Sequence, residues 1–155
     1  AGAELFISDV NNRNLEMTLA EVPATVVAPS QLLFEDVDVL APCALGNILT
    51  SSTIPKIKAK VIAGAANNQL STPADGLRLA ERDILYAPDY VINAGGIISV
   101  AGEYYGSSSE DDVRADVGRI KERLEKIFNE ARETGRPTNE LADDLARSIV
   151  AAARQ

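Results

Sequence analysis

Two short stretches bring together residues that could hold a ligand without steric bulk. Ala63-Gly64-Ala65-Ala66-Asn67-Asn68 carries no large side chain ahead of its paired amides, and Asn93-Ala94-Gly95-Gly96 repeats the design further along. Such a run lets a flat ring lie against backbone, while the amides supply donors and acceptors without titrating. Glycines at a helix start would also leave backbone N–H groups free to approach a ligand. The same residues would equally serve close packing of a strand against a helix, with an asparagine capping the turn.

Asp9 follows an apolar run, Leu5-Phe6-Ile7-Ser8. At a strand end its two oxygens could accept hydrogen bonds from both hydroxyls of an adenosine ribose, and its charge would repel a 2'-phosphate. It could as well simply shape the turn into the next helix. Ile97 and Val100, three apart on one helix face, could line a pocket beginning at Gly95 or belong to plain core. Cys43 lies between a proline and Ala44-Leu45-Gly46, without the His, Lys or second Cys that would activate a thiol. With no His and one Cys, a zinc cluster and every His-dependent triad are excluded within the chain. The acids Glu110-Asp111-Asp112 suit the first turn of a helix better than a metal.

These residues must be positioned by alternating elements. Residues 5–10, 24–28, 37–41 and 60–65 read as short, largely apolar strands. Residues 84–87 and 90–93 bracket Pro88-Asp89 as a last extended stretch. Between them, Leu15, Leu19 and Val22 mark a helix ended by Pro23, Gln31 to Glu35 a short helix, and Thr53-Ile54-Pro55 a helical turn. Thr72-Pro73-Ala74-Asp75 is a helix-start signature, with the helix reaching about Arg82. Ser109 with Asp112 forms another capping box, opening a helix of about seven turns whose stripe runs from Val113 to Ala131. Gly135 and Pro137 stop it, and a closing helix begins near Asn139. Strands alternating with helices imply an α/β fold around a parallel sheet, and in such sheets ligands sit beyond the strands' carboxyl ends. Asp9, Pro42-Cys43-Ala44, Ala65 to Asn68 and Asn93 to Gly96 all fall there.

The chain's 155 residues suffice for one core without disulfide staples. Fifteen Lys and Arg against 23 Asp and Glu leave a net charge of -8, which argues against nucleic acid or anionic membrane as partners. No apolar run reaches membrane-spanning length, and the single cysteine gives no sign of an oxidising compartment, so a cytoplasmic setting is expected.

Taken together, Ser8-Asp9-Val10-Asn11, Ala41-Pro42-Cys43-Ala44-Leu45-Gly46, residues 61–70 and residues 86–96 resemble the leucine, valine and phenylalanine dehydrogenase family. The resemblance spans nearly the whole chain. It implies part of an enzyme that oxidatively deaminates an L-amino acid to the 2-oxo acid and ammonia with NAD as cofactor, which agrees with the Asp9 argument for NAD over NADP. It further implies that Asp9 and Val10 bind the adenosine ribose and that Cys43 and Ala44 line the cofactor cleft. Ala65 and Ala66 would lie near the nicotinamide ribose, Asn67 at the reacting centre and Asn93 close to the nicotinamide. Ile97 and Val100 would touch the substrate side chain. Both are apolar, so a buried substrate carboxylate would go unpaired, and branched Ile97 favours leucine, isoleucine or valine over aromatic amino acids.

The chain contains no G-x-G-x-x-G. The expected fold is thus a Rossmann-like, doubly wound, mostly parallel sheet lacking its first strand and glycine-rich loop, followed by two C-terminal helices. Residues 1–106 would be a partial dinucleotide-binding domain. Residues 107–155 would be a helical segment packed on it and on a missing substrate domain. Because the absent strand would sit at the sheet's centre, two half-sheets with unpaired edges are expected, and independent stability is not. The resemblance places the catalytic lysine and aspartate in an amino-terminal domain, so no catalytic residue is expected in this chain. Its partners would be the N-terminal part of the same enzyme and further copies in a homo-oligomer. The alternatives are a non-catalytic nucleotide-cleft module acting through protein contacts, and a glutamate dehydrogenase relative.

Overall fold

A computed structural model describes residues 2–105 and 109–154 of the chain. In chain order it forms β1 (Phe6–Ile7), α1 (Asn12–Glu21), β2 (Thr25–Val26), α2 (Pro29–Leu32), β3 (Val39–Leu40), a 3₁₀ turn (Ile54–Lys56), β4 (Val61–Ile62), α3 (Ala74–Ala80) and β5 (Leu85–Tyr86). Four helices follow: α4 (Asp89–Ile92), α5 (Gly95–Tyr105), α6 (Glu110–Thr134) and α7 (Thr138–Ala152). Every strand pairing is parallel, with an α-helix in the β1–β2 and β4–β5 crossovers and the 3₁₀ turn in the β3–β4 crossover, as in a Rossmann-type domain.

The strands form two ladders, β1–β2 and β3–β4–β5, with β4 central in the second. The two half-sheets expected from the sequence are thus present. Leu40, Ile62 and Tyr86 stand in register across the larger sheet and are all buried. They join Leu49, Ile54, Ile57, Leu79 and Ile84 in the main core. A fully buried Leu or Ile of this kind contributes about 1.5–3 kcal/mol. The adjacent row, Val39, Val61 and Leu85, lies on the other face of the pleat. It is only partly covered, with Val39 54% exposed, so the larger sheet is fully buried on one face alone.

The local chemistry explains most boundaries. Asn11 caps α1 by accepting the Arg13 N–H at 3.0 Å. Asp75 reaches back to the N–H and hydroxyl of Thr72, both at 2.8 Å, so the expected acid at the start of α3 does its work. Ser109 and Asp112 close a reciprocal capping box on α6, and Gly135 ends that helix at φ 71°. Three elements differ from the sequence reading. The short helix begins at Pro29 rather than Gln31, because proline suits the first helical position. Tyr90 to Asn93 are not extended: the Pro88 carbonyl accepts the Val91 and Ile92 N–H groups, and Asp89 opens a helical turn there. The apolar stripe of α1 is not covered by any described residue, since Leu19 and Val22 are exposed and only Leu15 is half-buried.

α6 packs against α4, α5 and α7. Ile127, Leu141 and Ala142 make a second core there, with Phe128, Ala131, Leu145 and Val91 around them. One side chain binds this layer to the sheet, and another ties α4 to α7. The buried Thr138 hydroxyl donates to the Tyr86 carbonyl at 2.7 Å, and the Tyr90 hydroxyl donates to Asp143 at 2.6 Å. The boundary expected between residues 106 and 107 lies outside the described residues.

Candidate functional site

Because β3, β4 and β5 are parallel, their exits share one edge, and the chain after each strand turns toward its neighbours there. After β3, Pro42 is buried and its carbonyl accepts the Ala66 N–H at 2.9 Å, which lays the Pro42–Ala44 turn against the exit of β4. Gly64 makes that contact feasible. A Cβ there would overlap the Pro42 backbone and lie 2.6 Å from Pro42 Cδ. Cys43 and Ala44 follow in the turn, and both are exposed.

After β4, Gln69 turns back under its own loop. Its side chain is fully buried, and its Nε2 donates to the carbonyls of Gly64 at 2.8 Å and Ala66 at 2.9 Å. Ala66 is buried, whereas Ala65 and Asn67 face outward. Asn68 adopts a left-handed conformation, φ 54°, which few residues other than Gly, Asn and Asp tolerate.

After β5, Asn93 follows α4 and reaches across to the β4 loop. Its Nδ2 donates to Asn67 Oδ1 at 2.6 Å and to the Ala65 carbonyl at 3.2 Å. Both Asn93 donors are thereby used. Among the described residues nothing bonds Asn93 Oδ1 or Asn67 Nδ2, so the pair presents an acceptor beside a donor. The structure thus brings Ala65, Asn67 and Asn93 into direct contact, with Cys43 and Ala44 in the neighbouring turn.

Gly95 and Gly96 are the first residues of α5, so their N–H groups have no acceptor within the helix. A Cβ at Gly96 would meet nothing within 4 Å. Ile97 and Val100 share a face of α5 and are 66% and 59% exposed, which makes them surface residues rather than core in this chain.

Asp9 and Val10 follow β1 on the smaller sheet, and Val10 is exposed. Asp9 accepts the Asn11 N–H and the Asn14 side-chain amide, both at 2.8 Å. The Asn14 bond first, and the Asn11 bond second, hold its carboxyl below its ordinary value. Shaping the turn is therefore one role of Asp9, and a carboxylate with about four lone-pair positions retains capacity beyond these bonds.

The lysines stand apart from the strand exits. Lys60 pairs with Asp38 and Lys121 with Glu125 at the surface, and Lys56, Lys58 and Lys126 are exposed. Among the described residues no group of three His, Cys, Asp or Glu could hold a metal, and no helix is long and apolar enough to cross a membrane.

The sequence reading missed Gln69 and Asp89, whose side chains shape the β4 loop from inside and from α4. A buried amide in a polar-looking loop has no periodicity to betray it, and Asp89 resembles any acid at a helix start.

Parallel strands joined by helices, with small residues and amides at the strand exits, define a Rossmann-type α/β domain. The chain belongs to the Glutamate/Leucine/Phenylalanine/Valine dehydrogenase family, whose profile matches residues 6–154. It is 42% identical over 154 residues to leucine dehydrogenase of Geobacillus stearothermophilus, covering 99% of this chain and 42% of that enzyme. It is 47% identical over 148 residues to L-tryptophan dehydrogenase of Nostoc punctiforme, covering 95% of this chain and 42% of that enzyme. The crystal structure of L-tryptophan dehydrogenase from Nostoc punctiforme superposes with a TM-score of 0.88 at 46% identity, over 94% of this chain and 44% of that one. The chain thus spans less than half the length of these relatives.

Proposed function

We propose that the chain is the nucleotide-binding portion of an NAD-dependent, cytoplasmic L-amino-acid dehydrogenase that deaminates an apolar amino acid, with branched-chain substrates preferred. The observation that carries this reading is the Asn93–Asn67 pair, which aims one open acceptor and one open donor outward from a floor of small residues. The residues fit a nicotinamide dinucleotide: the open amide edges and the free space at Gly96 suit a flat ring, and unphosphorylated ribose hydroxyls suit Asp9. When bound, NAD supplies the acceptor for the hydride that leaves the amino acid's α-carbon.

The chain's own residues then bind and orient. Asp9, with Val10 beside it, accepts from the adenosine ribose, and Cys43 and Ala44 wall the cleft. Ala65 and Ala66 let the nicotinamide ribose approach backbone, and Asn93 fixes the ring. Asn67 donates at the reacting centre, and orientation of this kind supplies much of the rate. Ile97 and Val100 exclude water from the substrate side chain, and their exposure in this chain fits a surface that a substrate domain closes over. The proton-transferring lysine and aspartate and the phosphate loop belong to the rest of the enzyme. That remainder would add a parallel strand between β1 and β3, joining the two ladders, and the assembled protein is a homo-oligomer.

A second reading within the same activity, an aromatic substrate, is favoured by the 47% identity to the Nostoc enzyme named for tryptophan. Turnover of leucine, isoleucine, valine, phenylalanine, tryptophan and glutamate by the full-length enzyme, with NAD and with NADP, tests both. The branched-chain reading expects leucine with NAD to be fastest. Tryptophan fastest would select the second reading, and glutamate fastest would overturn the apolar pocket. No turnover of any amino acid would overturn the function.

A further inference from the structure

We propose that Asp89 is a positioning residue for hydride transfer, acting through the Asn67–Asn93 pair, and this rests on the functional reading above. Asp89 Oδ2 accepts the Asn68 N–H at 2.6 Å, and Oδ1 accepts the Tyr86 hydroxyl at 3.0 Å. The Tyr86 phenol is pushed above its ordinary value, by burial first and the Asp89 charge second, so it stays protonated and donates. The carboxylate is thereby anchored to the end of β5 while it grips the β4 loop one residue beyond Asn67.

The other end of the same helix grips the same loop. The Asn93 N–H donates to the Asp89 carbonyl at 2.9 Å, and the Asn93 side chain holds Asn67 and Ala65. Helix α4 therefore clamps the loop twice, at Asn68 through Asp89 and at Asn67 through Asn93. The gripped Asn68 is itself left-handed, at φ 54°, a conformation that asparagine tolerates better than most residues. The Asn68 carbonyl is meanwhile held by the Asn47 N–H at 2.6 Å. Without the carboxylate, the Asn68 N–H loses its acceptor and the loop is free to shift, swinging the outward edge of Asn67 away from Asn93. Displacement of a reacting-centre group by about 1 Å can cost about a hundredfold in rate.

The test uses the full-length enzyme with its preferred amino acid, protonated and deuterated at the α-carbon. Asp89→Ala is expected to lower kcat by about 10- to 100-fold and to raise the deuterium isotope effect on kcat, because hydride transfer becomes slower relative to other steps. The Kd for AMP, which reads the Asp9 end, stays at its wild-type value. Asp89→Asn is expected to recover most of kcat, since its amide oxygen can accept from Asn68 and its NH₂ can donate to Tyr86. If Asp89→Ala does not assemble, Asp89→Ser takes its place with the same expectations. Unchanged kcat, or a loss of kcat with an unchanged isotope effect, overturns the positioning role. Asn67→Ala and Asn93→Ala run alongside. If both turn over like wild type, the functional reading itself fails, and that failure is distinct from the failure of Asp89 alone.

Discussion

Gly64→Ala tests whether the β3 and β4 exits must touch for the site to form. The new Cβ would sit 2.6 Å from Pro42 Cδ and inside contact distance of the Pro42 carbonyl oxygen and nitrogen. Ordinary carbon contacts lie at about 3.5–4.0 Å, so the two exits must separate by about 1 Å. Backbone cannot swing aside as a flexible side chain can. Overpacking of this kind costs about 1–3 kcal/mol. Separation also breaks the 2.9 Å bond from Ala66 N–H to the Pro42 carbonyl, which adds about 1–3 kcal/mol for buried groups left unpaired. The total expected loss is about 2–6 kcal/mol. The same shift moves Ala65 and Asn67 relative to Cys43 and Ala44, so kcat should fall by about a hundredfold in whatever enzyme remains folded. Denaturant unfolding and steady-state turnover of the full-length enzyme read the two effects. Gly64→Ala with wild-type stability and turnover would show that the exits do not need this contact, and the account of the loop would be wrong.

Three further perturbations follow from single contacts. Thr138→Val keeps the shape but leaves the Tyr86 carbonyl without its 2.7 Å donor, so urea unfolding should show a loss of about 1–3 kcal/mol; no loss would mean that α7 is not tied to β5 there. Gly135→Ala forces a Cβ onto a residue at φ 71° and should cost about 1–2 kcal/mol in the same assay, with open space around it leaving strain as the only cause. Asn14→Ala removes the largest influence holding the Asp9 carboxyl below its ordinary 3.8, so its titration midpoint by carboxyl NMR should rise toward that value. Because the folded carboxyl titrates low, its contribution to stability is present above about 3.8 and disappears as pH falls through the lowered midpoint. An unmoved midpoint would assign the effect elsewhere.

Much of this protein was legible before any coordinates. Cap signatures at Thr72 to Asp75, Ser109 to Asp112 and Gly135 mark helix ends through bonds made within a few residues, so local sequence suffices to find them. Short apolar runs between those helices read as parallel strands, and the four motifs reveal the family. Tyr90 to Asn93 look extended in sequence because β-branched and aromatic residues there suit a strand as well as the helical turn that Pro88 and Asp89 impose. The burial of only one face of the larger sheet could not be read either, since an apolar strand looks alike whether or not its second face finds a cover. What tertiary structure alone decided is the clamp on the β4 loop. Asp89 and Asn93 meet Ala65 to Asn68 through bonds that span 21 to 28 residues of chain, while Gln69 closes the loop from within. A hydrogen bond between side chain and backbone leaves no periodic trace in a sequence, because it depends on where two chain segments meet rather than on which residues lie between them.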